Sequence, residues 1–270
     1  MDISEDTPVV MCFSGHDPTG GAGIHADIET IGSLGAYATS VITTLTIQDT
    51  QDVQGYIPID EATIAEQARA VLEDMPVAAF KIGMVGSAEA VEAIHAVLQD
   101  YPDVPVILDP VLRSGNGTEL ADRETQEAIK ELLIPLTTIL TPNSLEAKAL
   151  ASEADSLAAC AHELIDLGAE YVLITGSHEN TESVINTLYS ENGEVDSYEW
   201  DRLPHSYHGS GCILSAAIAA LIANGVEVAE AVSDAQEFVW EALDSASRLG
   251  MGQHLPNRFF WVETEESEDE

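Results

Sequence analysis

The chain has 270 residues, of which 45% are hydrophobic, so it is long and apolar enough to bury a large core. Its 48 acidic residues against 9 lysines and arginines give a formal net charge of −39, which excludes nucleic acid and membrane surfaces as partners and predicts adaptation to high salt. The cysteines, Cys12, Cys160 and Cys212, indicate neither a disulfide framework nor a zinc site. Without a signal-peptide pattern or an apolar run near the roughly 20 residues of a membrane span, we expect a cytoplasmic protein.

Strand-like runs rich in β-branched residues alternate with helical patterns along the chain. In chain order, the pattern predicts strands at 9–13, 37–47, 78–82, 104–108, 138–141, 171–175, 184–189 and 195–200, and helices at 23–34, 61–72, 88–98, 124–133, from near 143, 156–167, 210–223 and 228–249. The runs 106–108 and 172–174 are continuously apolar, as in strands that helices cover on both faces. We therefore expect one domain with a doubly wound, mostly parallel α/β sheet, helices on both faces and a small antiparallel strand pair in the second half.

Glycine and acidic clusters follow several of the predicted strands. The run 15–23 follows the first strand, 83–86 and 109–110 follow the third and fourth, and 141–143 and 175–178 follow the next two. Ligands of such sheets bind beyond the carboxyl ends of the strands, so these clusters predict one shared site. Each cluster taken alone is also compatible with a tight turn.

A glycine-rich turn opens onto the apolar helix predicted at 210–223. Backbone N–H groups of Gly209, Ser210 and Gly211 can turn toward one point, and the helix adds its positive dipole end, which predicts a hole for an anion such as a phosphoryl group in transfer. Cys212 stands in the first turn, where the helix N-terminus is expected to lower the thiol pKa. A plain helix start with a buried structural cysteine remains the alternative.

Ordered segments along nearly the whole chain carry a resemblance to a known family. They are 14–27, 40–50, 81–84, 109–111, 141–147 and 208–212, the first reading Ser-Gly-His-Asp-Pro-Thr-Gly-Gly-Ala-Gly-Ile-His-Ala-Asp and the last His-Gly-Ser-Gly-Cys. In this order the chain resembles the ribokinase-like superfamily, and within it the hydroxymethylpyrimidine/phosphomethylpyrimidine kinases of thiamine biosynthesis. The resemblance implies a single ribokinase-like kinase domain over 1–262, and the composition of 263–270 predicts an acidic disordered tail.

The resemblance also implies an activity and a set of partners. The activity is phosphorylation of 4-amino-5-hydroxymethyl-2-methylpyrimidine and then of its monophosphate, with ATP and Mg²⁺ as cofactors. The partner is the small-molecule substrate, and the family suggests a homodimer.

Four groups of residues receive roles from the resemblance. They are Cys212 as catalytic base with Gly209, Ser210 and Gly211 as anion hole; Gly15, Asp27, Gln48 and Met84 for the substrate; Asn143, Thr175, Gly176, His178 and Arg113 for the nucleotide; and Asp109 and Glu146 for the metal. The residues alone predict less: Asn143 and Glu146 have the spacing of a helix-capping pair, Met84 reads as core, and Asp27 as a solvated helix residue.

The chain departs from the family pattern at the nucleotide side. Thr175 stands where the family commonly has a lysine near the ATP phosphates, and Arg113 is a candidate for the missing charge, although arginine does not replace lysine simply. A non-catalytic pyrimidine-binding protein therefore stays open as an alternative. A pyridoxal or pyridoxine kinase also stays open, because some members of the group that the chain resembles accept both ring types, each with a hydroxymethyl group on a heteroaromatic ring. A dinucleotide oxidoreductase is disfavoured, because the glycines after the first strand lack a Gly-x-Gly-x-x-Gly pattern.

Overall fold

The computed structural model describes Ser4 and residues 6–262, so the predicted tail at 263–270 lies outside the described residues. The strands of the described part are β1 (Val9–His16), β2 (Tyr37–Gln48), β3 (Val53–Pro58), β4 (Val77–Ile82), β5 (Val106–Leu108), β6 (Ile139–Leu140), β7 (Tyr171–Ile174), β8 (Ser183–Ser190) and β9 (Gly193–Asp201). Its α-helices are α1 (Gly23–Ser33), α2 (Glu61–Leu72), α3 (Ala88–Leu98), α4 (Arg123–Ala128), α5 (Ser144–Leu150), α6 (Leu157–Asp166), α7 (Ser210–Ala223) and α8 (Val228–Asp244).

One sheet contains all the strands of the described chain, in the order β3-β2-β1-β4-β5-β6-β7-β8-β9. The pairs from β2 across to β7 are parallel, whereas β3 pairs antiparallel with β2, and β7, β8 and β9 pair antiparallel in turn. The mostly parallel sheet with an antiparallel pair in the second half is therefore confirmed. Strand β3 was missed by the sequence analysis, because this short, largely exposed edge strand contains a glycine and ends in proline.

Helices cover the sheet on both faces. Successive side chains of β1 point to opposite faces, so Met11 and Phe13 join one apolar cluster and Val10 and Cys12 join the other. Helix α7 packs against β1, β4 and β5 and is buried from Ile213 to Ala220, as its uninterrupted apolar sequence predicts. Among the described residues, no helix combines the length and the hydropathy that crossing a membrane requires.

Two predicted helices end differently in the structure. The helix predicted at 124–133 is α4 followed by a π-helical turn (Ile129–Leu133) and a 3₁₀ turn (Ile134–Leu136), because Pro135 cannot continue an α-helical hydrogen-bond ladder. The last helix stops at Asp244 rather than at 249, where the Ser245 hydroxyl donates a hydrogen bond to the carbonyl of Glu241. Residues 245–262 leave the helix, and we call them the C-terminal strap. Its middle contacts the segment after β2 and the segment before α7, and its end packs against α1 and α8.

Candidate active site

Three of the four predicted substrate residues lie on one side of the carboxyl edge of the sheet. Gly15 lies near the end of β1, and a Cβ at this position would be 3.4 Å from the sulfur of Met84, which follows β4. Gln48 ends β2, is half-buried, and lies close enough to Asp17 to help lower the pKa of that carboxyl. The structure therefore brings Gly15, Gln48 and Met84 around one part of the edge.

Asp27 does not lie where the resemblance implies, on the surface of the substrate pocket. Its side chain is fully buried, forms an ion pair with the ammonium of Lys81 at 2.9 Å, and accepts a hydrogen bond of 2.5 Å from the Ser14 hydroxyl. Burial would lower the pKa of Lys81, but the charge of Asp27, with smaller contributions from Asp109 and the neighbouring cysteines, outweighs burial and raises that pKa above its usual range. Asp27 is thus a partner of a buried cation behind the wall of the site, not a side chain on its surface.

The anion-hole turn fits tightly against the glycine loop that follows β1. Gly209 has φ +77°, and a Cβ there would collide with the carbonyl oxygen of Gly21. A Cβ on Gly21 would in turn collide with the ring of His208. No side chain of the described residues caps α7 at Gly209, so the N–H groups of its first turn keep their capacity to bind an anion.

Asp17 and His208 join the same two segments through side chains. The carboxylate of Asp17 accepts hydrogen bonds from the backbone N–H groups of Thr19 and Ala22 and lies 2.8 Å from His208 Nε2. Burial opposes ionisation, but the hydrogen bonds from His208, Gln48 and Thr19 outweigh it and hold the pKa of Asp17 well below its usual range. The glycine loop is therefore tied to the anion hole by an ionised carboxylate.

Cys212 is half-buried in the first turn of α7. Its pKa is raised, not lowered as the position at a helix N-terminus predicts. Burial raises the pKa of this thiol to about 12, and the carboxylates of Asp109 and Asp27 act in the same direction. Lys81 opposes them and is outweighed. Burial disfavours the thiolate more strongly than the lysine favours it, so the thiol is protonated at neutral pH.

Two nearly buried carboxylates lie behind the anion-hole turn. Asp109 follows β5, and a Cβ on Gly211 would be 3.6 Å from its carboxylate. Glu146 lies in α5 and accepts hydrogen bonds from the backbone N–H groups of Asn143 and Leu112. Burial raises the pKa of both carboxyls, and the charge of Asp109 raises that of Glu146 further. This mutual repulsion is what a bound cation would relieve, so the pair fits Mg²⁺, which needs only one or two carboxylates beside its waters.

Asn143 is the N-cap of α5, as the spacing alone predicts. Its side-chain oxygen accepts hydrogen bonds from the N–H groups of Leu145 and Glu146, and the Asn143 N–H donates one to the Glu146 carboxylate, which completes a capping box. Both oxygens of Glu146 therefore already have a backbone donor. The capping role is confirmed by this geometry, while a role toward a nucleotide stays a prediction.

The remaining predicted nucleotide residues lie around the same edge of the sheet. Thr175 exchanges backbone hydrogen bonds with Pro142 and Ser144. Gly176 is buried and its N–H donates to Asn186 Oδ1, so this N–H is not free for a phosphate. His178 is exposed, and Arg113 lies exposed at the start of the short hairpin that follows β5.

Some residues of the site were not assigned by the sequence analysis. Ser14, Asp17, Lys81 and His208 lie within the segments that carry the family resemblance but received no role. Lys81 offered a signal, because it is one of only three lysines in a chain of charge −39 and stands inside an apolar strand. The pairing of Asp17 with His208 had no local signal, since 191 positions separate them.

A doubly wound sheet with an anion-binding helix N-terminus and two carboxylates at its carboxyl edge defines a ribokinase-like phosphotransferase. A family model described as phosphomethylpyrimidine kinase matches residues 17–257. The chain belongs to this family.

Relatives of known name agree with that assignment. The chain is 31% identical over 268 residues to the hydroxymethylpyrimidine/phosphomethylpyrimidine kinase of Staphylococcus aureus strain MSSA476, covering 97% of each chain. It is 36% identical over 259 residues to the thiamine biosynthesis bifunctional protein ThiED of Geobacter sulfurreducens, and this match covers 94% of the chain but 53% of that longer protein. The crystal structure of an ADP complex of Bacillus subtilis pyridoxal kinase superposes with a TM-score of 0.85 at 29% identity, covering 95% and 99% of the two chains.

Proposed function

We propose that the protein transfers the γ-phosphoryl group of ATP to the hydroxymethyl group of 4-amino-5-hydroxymethyl-2-methylpyrimidine, and then a second phosphoryl group to the resulting monophosphate, in thiamine biosynthesis. Family membership supports a phosphotransferase of this kind. The observation that carries the proposal is the uncapped turn at Gly209–Gly211, which lies between the side of the sheet edge with Gly15, Gln48 and Met84 and the side with Asn143 and Thr175.

Phosphoryl transfer depends mainly on positioning and on neutralising charge. In this proposal the N–H groups of Gly209, Ser210 and Gly211, with the positive end of α7, hold the transferring phosphoryl oxygens. Gln48 pairs with the edge of the heterocycle, because one amide offers both a donor and an acceptor. Met84 and Gly15 bound the same pocket, and Met84 packs against the face of the ring.

Asp109 and Glu146 are the residues that would hold Mg²⁺, which neutralises phosphate charge when bound. Asn143 fixes Glu146 through the capping box and so orients its carboxylate. Arg113 and His178 are proposed as nucleotide contacts at the rim, where Arg113 supplies the positive charge that Thr175 lacks. Gly176 supports this region through its backbone rather than through a free N–H.

Cys212 is proposed as the acceptor of the alcohol proton. It can take this role only as a thiolate, and its environment disfavours the thiolate. A protonated thiol cannot accept a proton, so the role requires the thiolate, which burial and the charge of Asp109 disfavour in the free protein. A positive charge held by Asp109 would remove part of that repulsion. A loose transition state also needs little help from a base, so we expect the anion hole to contribute more to the rate than Cys212.

The proposal is tested by product analysis. The protein is incubated with ATP and Mg²⁺ at molar KCl, with the hydroxymethylpyrimidine and pyridoxal offered in parallel, and products are detected by phosphorus NMR and mass spectrometry. Mono- and diphosphate from the pyrimidine are expected.

Other products would change the assignment. Pyridoxal phosphate without pyrimidine phosphates would make it a vitamin B6 kinase, and B. subtilis pyridoxal kinase is a structural relative with that substrate class in its name. Binding of the pyrimidine without turnover of either ring would make it a binding protein.

We also propose that the protein is a homodimer in the cytoplasm. The β2–β3 ribbon exposes Leu45, Ile47 and Ile57, and Leu45 lies directly opposite Ile57. A second copy of the chain would cover this apolar face. Light scattering is expected to give twice the chain mass for the wild type and the monomer mass for Ile57→Glu. A monomeric wild type would overturn the dimer.

A further inference from the structure

The C-terminal strap crosses three segments of the site. The N–H of Gln253 donates to the carbonyl of Thr50, just beyond Gln48, and His254 exchanges backbone hydrogen bonds with Ser206 and His208, just before the anion hole. A Cβ on Gly21 would be 2.7 Å from the side chain of Leu255. The strap thus touches the substrate strand, the entrance of the anion hole and the glycine loop, although the proposed reaction gives it no role.

Arg258 is the charged anchor of this strap. Its side chain is buried, its Nε lies 2.7 Å from Glu29 of α1, and its Nη2 lies 2.6 Å from the carbonyl oxygen of Gly20. Its Nη1 lies 3.4 Å from the carbonyl oxygen of Gly21. The planar guanidinium therefore spans one carboxylate and two consecutive carbonyls, which a lysine ammonium cannot do from a single nitrogen.

The carbonyl of Gly21 connects this anchor to the chemistry. It is the same oxygen that leaves no room for a Cβ on Gly209, so it lies directly against the first glycine of the anion hole. The next residue, Ala22, donates its N–H to Asp17, which holds His208. Arg258 therefore contacts the glycine loop, and the glycine loop contacts the anion hole.

We propose that Arg258 is a positioning residue for phosphoryl transfer: it holds the carbonyls of Gly20 and Gly21 and thereby fixes the N–H groups of the Gly209–Gly211 turn. It contacts neither the substrate nor the phosphates. The inference rests on the proposed function for its kinetic consequence only, because the coupling between the strap and the turn is a property of the protein without ligand.

The test compares Arg258→Gln and Arg258→Lys with Arg248→Gln. Arg248 is an exposed strap arginine that donates to the carbonyl of Met251, and it is the matched control. Kinetic constants are measured well below the melting temperature of each variant and normalised to the folded fraction. Hydrogen exchange of the full-length proteins without ligand is followed in peptides that cover 18–23 and 208–213.

For Arg258→Gln we expect kcat per folded molecule to fall at least tenfold while the KM for ATP stays within twofold, and both peptides to exchange faster. Arg258→Lys should recover part of kcat, and Arg248→Gln should match the wild type in both measurements. An Arg258→Gln protein with unchanged kcat per folded molecule, or with faster exchange at 18–23 but unchanged exchange at 208–213, would overturn the inference. If the wild type has no kinase activity, the proposed function fails, and the exchange of 208–213 alone decides whether Arg258 positions the turn.

Discussion

The environment of a single side chain reverses an expectation based on the helix N-terminus. The first turn of a helix stabilises a thiolate when the thiol is accessible, but Cys212 is held among Asp109, Asp27 and apolar side chains. Burial and two like charges outweigh the attraction of Lys81 for the thiolate, and the pKa is raised although the residue stands at a helix N-terminus. The chemistry of Cys212 therefore depends on which charges the site binds, not on its position in the helix alone.

The raised pKa of Cys212 predicts how the free protein reacts with iodoacetamide. Because the thiol is protonated up to about pH 12, its alkylation rate should rise about tenfold per pH unit from pH 7 to 10, without a plateau. Peptide mass spectrometry measures this rate, and Cys212→Ser gives the background from Cys12 and Cys160. A plateau near pH 8 would mean that the helix N-terminus controls the thiol after all.

The lowered pKa of Asp17 predicts a pH-dependent contribution to stability. A carboxyl whose pKa is depressed on folding stabilises the protein above its unfolded value of about 3.9, and this contribution is lost as the pH falls through the folded value. Asp17→Asn should reduce the free energy of unfolding by about 2 kcal/mol at pH 7, and the difference from the wild type should shrink below pH 4. Urea unfolding at several pH values measures it, and a difference that stays constant with pH would contradict the assignment.

At the scale of elements, the start of α7 and the loop after β1 interlock through glycines. Gly209 needs its positive φ and also the absence of a side chain, because the carbonyl of Gly21 occupies the space of a Cβ. Gly225, after the other end of α7, has φ +84° with nothing within 4 Å of a Cβ. An alanine at Gly209 would therefore meet both the conformational cost of a positive φ and a steric clash. An alanine at Gly225 would meet the conformational cost alone.

Gly209→Ala should lower the free energy of unfolding by at least about 2 kcal/mol, against about 1 kcal/mol for Gly225→Ala. It should also lower kcat more than 100-fold, because the alanine displaces the turn from the glycine loop, while Gly225→Ala keeps the wild-type kcat. Thermal unfolding and steady-state kinetics provide the two measurements. Equal losses of stability in the two variants would show that the close packing at Gly209 adds nothing to the conformational cost.

Most of the charged side chains of the whole molecule are acidic. With 48 acidic and 9 basic residues, repulsion between surface carboxylates opposes the folded state. Two of the few basic side chains, Lys81 and Arg258, are buried. The surface therefore has even fewer cations to balance its carboxylates than the composition suggests.

We expect the melting temperature to rise by more than about 5 °C between 0.1 and 2 M KCl, because salt shortens the range of repulsion between exposed charges. Sucrose of equal osmolarity is the control, since it is excluded from the protein surface but does not screen charge. Differential scanning calorimetry provides the measurement. A melting temperature that does not rise with KCl, or that rises equally in sucrose, would contradict adaptation of this surface to salt.

The sequence predicts elements whose pattern is local and misses features that depend on distant contacts. The parallel strands and α7 follow from continuous apolar runs, and the capping box at Asn143 follows from a three-residue spacing. Strand β3 had no such signal, because it is short and stabilised by pairing with β2. The burial of Asp27 and the anchoring by Arg258 depend on partners 54 and 238 positions away, which no periodicity indicates.

The long separation of these partners also sets the order in which the site is completed during synthesis. Asp17 finds His208 across 191 positions, and Glu29 finds Arg258 across 229. A ribosome that has made the first half of the chain has already released the glycine loop, yet it has not made the turn and the arginine that hold this loop. The reaction centre is therefore assembled last, after most of the sheet has had time to form, and a chain cut short of Arg258 would carry the glycine loop without its anchor.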